Sequence, residues 1–307
     1  MIKGYRFSIR WIQFVLIFLS AYPALLAAQA QIPSQFPGGT AEKIVTVYGL
    51  KIRYFEAGNG PAVILLHGLG GESSNWAATI SPLSQKYRVI VPDQIGFGRS
   101  DKPFINYRVG TLVDFLYGLY KELKIERASL IGNSLGGWTA ASFALAYPEK
   151  VEKLVLVDAA GFAIPENVDL HQLYALNPST REGIRQSLAL IFYNKMFYTS
   201  DVVIDFLFTQ KMMAGDGYST QRFLESIARR EDVLDNRLGS IKQPTLIIWG
   251  REDGLLPLAY AERFKKEISG AELVIIDQCG HVPQVEKAAE FNAALLKFLA
   301  EGTSSLK

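Results

Sequence analysis

The chain of 307 residues is poor in the side chains that bind metals and close cross-links. It has one cysteine, Cys279, and three histidines, His67, His171 and His281. A single thiol can form no internal disulfide, so stability must come from a packed core. These few imidazole and thiol groups are scattered, and no His/Cys cluster has metal-ligand spacing. The two glycine pairs that could open a dinucleotide site, Gly68-Leu69-Gly70 and Gly96-Phe97-Gly98, lack the third glycine at the required spacing. No cofactor and no metal are therefore expected. Neither sign of charge dominates, with 32 Lys and Arg against 30 Asp and Glu. Lys3, Arg6 and Arg10 fall in the first thirty residues, which hold no acid. A body so evenly balanced has no electrostatic reason to seek nucleic acid. Internal repeats and low-complexity blocks are absent.

What is present is apolar: 49% of residues are hydrophobic and 20% charged, a composition that supplies an ample core. The amino end stands apart. Basic residues to Arg10 precede an apolar run from Trp11 to Ala28, and Ala28-Gln29-Ala30 is a small-x-small site. This pattern predicts a signal peptide over residues 1–30, cleaved after Ala30. The alternative is an uncleaved anchor, because the apolar run is about 18 residues, the threshold for spanning a bilayer. Either way the body is expected to be exported, periplasmic or extracellular, with membrane contact through the N-terminal segment if it is retained. Residues 31–43, rich in Pro, Gln and Gly, read as a flexible leader.

From Ile44 onward two periodicities alternate. Ile44–Val47 and Lys51–Phe55 read as a hairpin bent at Tyr48-Gly49. Short continuous apolar runs follow at Ala62–Leu66, Arg88–Val91, Ala128–Ile131, Leu154–Val157, Leu246–Trp249 and Leu273–Ile276. Such runs suit strands buried on both faces, as in a parallel sheet. Helical patterns separate them at Thr111–Leu123, Leu135–Tyr147, Leu258–Ile268 and Glu286–Leu299. The series predicts an α/β fold, a mostly parallel sheet flanked by helices. The stretch between Asp158 and Gln243 has no clear buried strand but holds helical pieces at Arg181–Phe192 and Val202–Met212. A structureless loop of that size is improbable, so a helical insertion after the sixth strand is expected over 161–239, within a core of 44–160 and 240–300.

The chemistry is sought in Ile131-Gly132-Asn133-Ser134-Leu135-Gly136-Gly137. A chemically idle bend could carry the same letters. Ser134, however, follows a buried strand and precedes a helix, and a serine on so sharp a turn needs small residues two places to either side. The helix that follows points its first N–H groups toward developing negative charge. For a base, His67 ends a strand in a glycine-rich loop and reads as structural, and His171 lies in the insertion. His281 follows the last strand, on the carboxyl edge where open α/β sheets bind ligands. For the acid, Asp253 in Gly250-Arg251-Glu252-Asp253 lies on the same edge, with Glu252 and Asp158 as rivals. Asp93 reads as a brace beneath the site.

Taken together, His67-Gly68 with its glycines, Asp93–Ser100, Gly132–Gly136, Gly250–Asp253 and Gly280-His281 resemble the α/β-hydrolase family over about Ile44 to Leu299. The resemblance implies a catalytic triad of Ser134, Asp253 and His281, in the family's order. It also implies an oxyanion hole formed by the backbone N–H groups of Leu69 and Leu135, and a cap formed by the insertion. A serine nucleophile separates the chain from relatives that use aspartate, the epoxide hydrolases and haloalkane dehalogenases. The insertion's Phe162, Tyr174, Phe192, Tyr193, Phe197, Tyr198, Phe206 and Phe208, with Met196, Met212 and Met213, point to a core of its own and an apolar entrance. The expected function is a serine hydrolase, a carboxylesterase or lipase acting on a lipophilic small-molecule ester. A carbon–carbon bond hydrolase of ring-fission products competes with it. Asn177–Glu182 and Cys279–Asn292 resemble those enzymes, but Val282 stands where they carry Trp. A cofactor-free acyltransferase or perhydrolase, and a non-catalytic ligand-binding protein on the same fold, are further alternatives.

Overall fold

The computed structural model describes residues 39–164 and 170–301. The expected signal peptide or anchor, and residues 31–38 of the expected leader, lie outside the described residues. No helix among the described residues is long and apolar enough to cross a membrane.

Eight strands form one sheet: β1 Ala41–Val47, β2 Leu50–Ala57, β3 Ala62–Leu66, β4 Arg88–Pro92, β5 Ala128–Asn133, β6 Val151–Val157, β7 Thr245–Gly250 and β8 Glu272–Ile276. Their order is β1-β2-β4-β3-β5-β6-β7-β8. β2 runs antiparallel to both β1 and β4, and the remaining pairs are parallel. Strands β5 and β7, each flanked on both sides within the sheet, are buried along their whole length, which is why they read as short, mostly apolar runs. Flanking helices are α1 Ala77–Ser84, α2 Val109–Glu122, α3 Leu135–Ala146, α9 Ala259–Glu267, α10 Pro283–Glu286 and α11 Ala288–Ala300. Between β6 and β7 come α4 Leu170–Tyr174, α5 Arg181–Ile191, α6 Lys195–Tyr198, α7 Asp201–Ala214 and α8 Gly217–Ala228.

The hairpin starts earlier than its hydrophobic pattern. Ala41, Glu42 and Lys43, read as leader, pair with Glu56, Phe55 and Tyr54. Cross-strand ion pairs Lys43–Glu56 and Glu42–Arg53 extend the ladder where no apolar alternation marks it. Tyr48 and Gly49 take φ of 52° and 82°, as a tight two-residue hairpin turn requires.

The insertion has a small core of Ile184, Leu188 and Ile204, packed by Phe192, Leu207 and Phe208. Its ends belong to the main core instead: Phe162, Phe223 and Leu234 pack there, with Phe97 stacked on Phe223. The two ends are also stitched together. The Leu234 N–H donates to the Gly161 carbonyl at 2.8 Å, and the Ala163 N–H donates to Asp235 Oδ2 at 2.8 Å. Much of the remaining apolar surface faces outward: Met196 is 90% exposed and Met213 78%, and Tyr193, Phe197 and Phe206 are exposed too.

Candidate active site

Ser134 sits between β5 and α3 with φ 55° and ψ −118°, a conformation that ordinary side chains avoid. The surroundings hold it there. Its N–H donates to the Val157 carbonyl at 2.9 Å, and its carbonyl accepts from Ala160 and Trp138 N–H groups, each at 3.1 Å. A β-carbon on Gly132 would lie 2.1 Å from the Gly136 carbonyl, and one on Gly136 would lie 2.2 Å from that of Leu66. Backbone cannot yield to such contacts, so both positions admit only glycine. Seated before the first turn of a twelve-residue helix, Ser134 lies where the helix dipole favours negative charge.

Asp253 and His281 meet across the loops that follow β7 and β8. His281 Nδ1 lies 2.7 Å from Asp253 Oδ2, with side-chain exposures of 4% and 1%. The other oxygen, Asp253 Oδ1, accepts from the Leu255 and Leu256 N–H groups at 2.8 and 3.0 Å, fixing the carboxylate's orientation. The two loops touch through glycine: a β-carbon on Gly250 would lie 2.0 Å from the Gly280 carbonyl. Asn133, the neighbour of Ser134, donates Nδ2 to the His281 carbonyl at 3.0 Å and so clips the serine turn to the histidine loop.

The rival acids take other places. Glu252 Oε2 accepts the Cys279 N–H at 3.0 Å and is not hydrogen-bonded to His281. Asp158, fully buried at the end of β6, accepts the Gly250 N–H on Oδ1 at 2.9 Å. Burial and the charge of Asp253 raise its carboxyl well above the ordinary carboxylate range. Asp158, Asp253 and His281 offer donor atoms within 4.8 Å of one another, close enough to surround a cation. The sequence count of histidine and cysteine overlooked this cluster because two of its members are acids. As a metal site it fits poorly, since the Nδ1–Oδ2 hydrogen bond already engages two of the three groups.

Gly68 packs directly on the serine, where its β-carbon would lie 3.1 Å from Ser134 Cβ. The next residue, Leu69, and the first residue of α3, Leu135, have N–H groups that donate to no carbonyl in the turns and loops of the described residues. The loop is braced from below. His67 Nδ1 is 2.8 Å from the Gly68 carbonyl, and its Nε2 accepts the Gln94 N–H at 3.0 Å, which fixes a neutral tautomer. Burial lowers the pKa of that ring. Asp93 accepts N–H groups from Ser73 and Arg99, each at 2.8 Å, and pairs with Arg53 at 2.9 Å. His171 lies away from this cluster, exposed on α4.

One contributor escaped the sequence reading. Glu286, at the end of α10, accepts the Gly280 N–H at 2.8 Å from the histidine loop and the Tyr193 and Asn194 N–H groups at 3.1 and 2.7 Å from the insertion. The His281 N–H itself donates to the Ile191 carbonyl at 2.7 Å. The insertion is thereby pinned to the loop that carries His281. Glu286 follows Pro283 in a short helical turn, a pattern that marks structure but says nothing of partners about ninety residues earlier.

Comparison with known proteins agrees with this geometry. A family model of the alpha/beta hydrolase fold matches residues 61–288. A 2-hydroxy-6-oxo-6-phenylhexa-2,4-dienoate hydrolase of Comamonas testosteroni is 37% identical, over 81% of this chain and 91% of its own. The solved meta-cleavage product hydrolase of Pseudomonas fluorescens IP01 superposes with a TM-score of 0.76 at 31% identity, covering 84% of this chain and 97% of that one. A membrane phospholipase A, described as a bacterial virulence factor, superposes with a TM-score of 0.77 at 28% identity, covering 95% and 98%. By its matched sequence, its sheet order and its strained serine turn, the chain belongs to the alpha/beta hydrolase fold family.

Proposed function

We propose that the protein is a serine hydrolase of lipophilic carboxylic esters. The observation that carries this reading is the strained turn at Ser134, clipped through Asn133 to the loop whose His281 is hydrogen-bonded to Asp253. In this mechanism His281 takes the Ser134 hydroxyl proton as Oγ attacks the ester carbonyl, and later returns it to the leaving alcohol. Asp253 keeps His281 in the tautomer whose Nε2 is free to accept. The Leu69 and Leu135 N–H groups receive the oxyanion, each contributing about 3 kcal/mol to the transition state. Water then repeats the sequence on the acyl-enzyme.

Two features support a lipophilic ester. The insertion exposes large apolar side chains on α6 and α7, a surface suited to acyl chains. Five cations of the insertion, Arg181, Arg185, Lys211, Arg222 and Arg229, are also committed to carboxylates of the insertion itself. A dienoate would ask for a cation to meet its own carboxylate. The similarity to a membrane phospholipase A over 95% of this chain points the same way. On this reading the first thirty residues export the body or hold it at a membrane, which fractionation of cells and N-terminal sequencing decide.

A second reading, hydrolysis of a carbon–carbon bond in a ring-fission product, is favoured by the 37% identity to the dienoate hydrolase. A panel of p-nitrophenyl esters and monoacylglycerols of increasing acyl length, run beside a ring-fission dienoate, separates the two. Ester turnover that rises with chain length is expected, with little on the dienoate. A higher kcat/KM on the dienoate than on every ester would overturn the proposal.

A further inference from the structure

Asp158 is not used by the mechanism above, yet it lies at its centre. Three observations define its setting. Its side chain is fully buried, at the end of β6, next to the β7 loop that carries Asp253. Its Oδ1 accepts the Gly250 N–H at 2.9 Å, while Oδ2 has no hydrogen-bond partner among the described residues. Donor atoms of Asp158, Asp253 and His281 lie within 4.8 Å of one another. Two buried carboxylates so close would repel each other, with no hydrogen between them to share. A proton on Oδ2 removes the repulsion and gives that oxygen the partner it lacks.

We propose that Asp158 serves the triad as a neutral carboxylic acid, donating the proton on Oδ2 to the Asp253 carboxylate. It is a positioning residue: it acts on the reaction only through Asp253 and, beyond it, His281. The acid position is then a pair of carboxyls holding one negative charge. Asp158 orients the Asp253 carboxylate together with the Leu255 and Leu256 N–H groups. The titratable groups facing Asp158 are Asp253 and His281, from the loops after β7 and β8, and the Cys279 thiol, which burial keeps uncharged. Burial and the charge of Asp253 both favour the protonated form of Asp158, and the Gly250 N–H opposes them.

The inference rests on the serine-hydrolase reading for its catalytic meaning, but its test does not. The first measurement is an infrared spectrum of the wild-type protein at neutral pH, compared with Asp158→Asn. A carboxylic-acid carbonyl band present in the wild type and missing from the variant is expected, whatever the substrate. The second is thermal stability against pH. Because folding raises the Asp158 pKa, the wild type loses stability as pH rises above the unfolded carboxylate value of about 4, and Asp158→Asn does not. The variant's advantage should therefore grow with pH over that range. The third is kinetic: Asp158→Leu should lower kcat at least tenfold and shift the acidic limb of its pH profile. Asp158→Asn, whose carboxamide can both donate to Asp253 and accept from Gly250, should recover most of that loss. Absence of the carbonyl band, or equal impairment of the Asn and Leu variants, would overturn the proposal. If the band is present but no ester is turned over, the fault lies in the ester reading, and the protonated pair stands.

Discussion

Replacing Glu286 with alanine removes the acceptor from three backbone N–H groups at once, at 2.8, 3.1 and 2.7 Å. The three losses are unequal. Tyr193 and Asn194 are exposed, so their N–H groups can turn to water, and each forfeits roughly 0.5–1 kcal/mol. Gly280 is buried, and its N–H is left without a partner, at about 1–3 kcal/mol. The sum, about 3 kcal/mol, leaves the protein folded at moderate temperature if its stability is ordinary. The catalytic effect follows from position. Gly280 precedes His281, so freeing its N–H loosens the loop that presents the imidazole, and a shift of about 1 Å in a reacting group lowers rates by as much as a hundredfold. The expected outcome is a kcat reduced about tenfold to hundredfold with KM little altered. Ester kinetics on Glu286→Ala, beside urea unfolding and far-UV circular dichroism, provide the check. Glu286→Gln retains one acceptor and should fall between the two. A folded Glu286→Ala protein with wild-type kcat, or one impaired only in KM, would refute the idea that this carboxylate holds the histidine loop for catalysis.

His281→Ala should abolish ester turnover without unfolding the protein, and near-normal activity would remove it as the base. Asp253→Asn should lower kcat by about 10⁴-fold, as expected when the base is left in the wrong tautomer; a loss below tenfold would move the acid elsewhere. Asp93 is buried, which opposes its ionisation, but the Arg99 and Ser73 hydrogen bonds and the Arg53 charge outweigh burial and lower its pKa. The pair therefore stabilises the fold above the ordinary carboxylate range, and that contribution is lost as pH falls below about 4. Asp93→Asn should lose roughly 3–5 kcal/mol at neutral pH, with the gap from wild type narrowing in acid; a gap independent of pH in urea titrations would contradict the assignment.

What could be read from the sequence was local. The strand, serine and helix of Ala128–Ala146 are contiguous, so residue pattern alone places Ser134 on a turn between them. The choice among acids is not local. Asp158 and Asp253 both follow adjacent parallel strands, and only the approach of the loops decides which one meets His281 Nδ1. Glu286 was illegible for the same reason, since its partners come from the insertion. The early start of β1 was hidden by charged residues that carry no hydrophobic alternation. The insertion's aromatics divide as composition alone could not show. Phe192 and Tyr198 stack at 3.6 Å and Phe162 joins the main core, while Tyr193, Phe197 and Phe206 face outward.

The stitch between Gly161–Ala163 and Leu234–Asp235 brings the insertion's entry and exit to one point. Such a neck makes the intervening segment a transplantable part: a foreign helical module joined inside it need not disturb the sheet. The donor would have to supply two things besides its own fold, the first an aromatic ring at the place of Phe223 to pack on Phe97 in the main core. Second, at the place of Ile191–Asn194 it must present a carbonyl to His281 and two N–H groups to Glu286. A chimaera lacking that short backbone signature would be expected to fold and bind, yet hold its imidazole poorly.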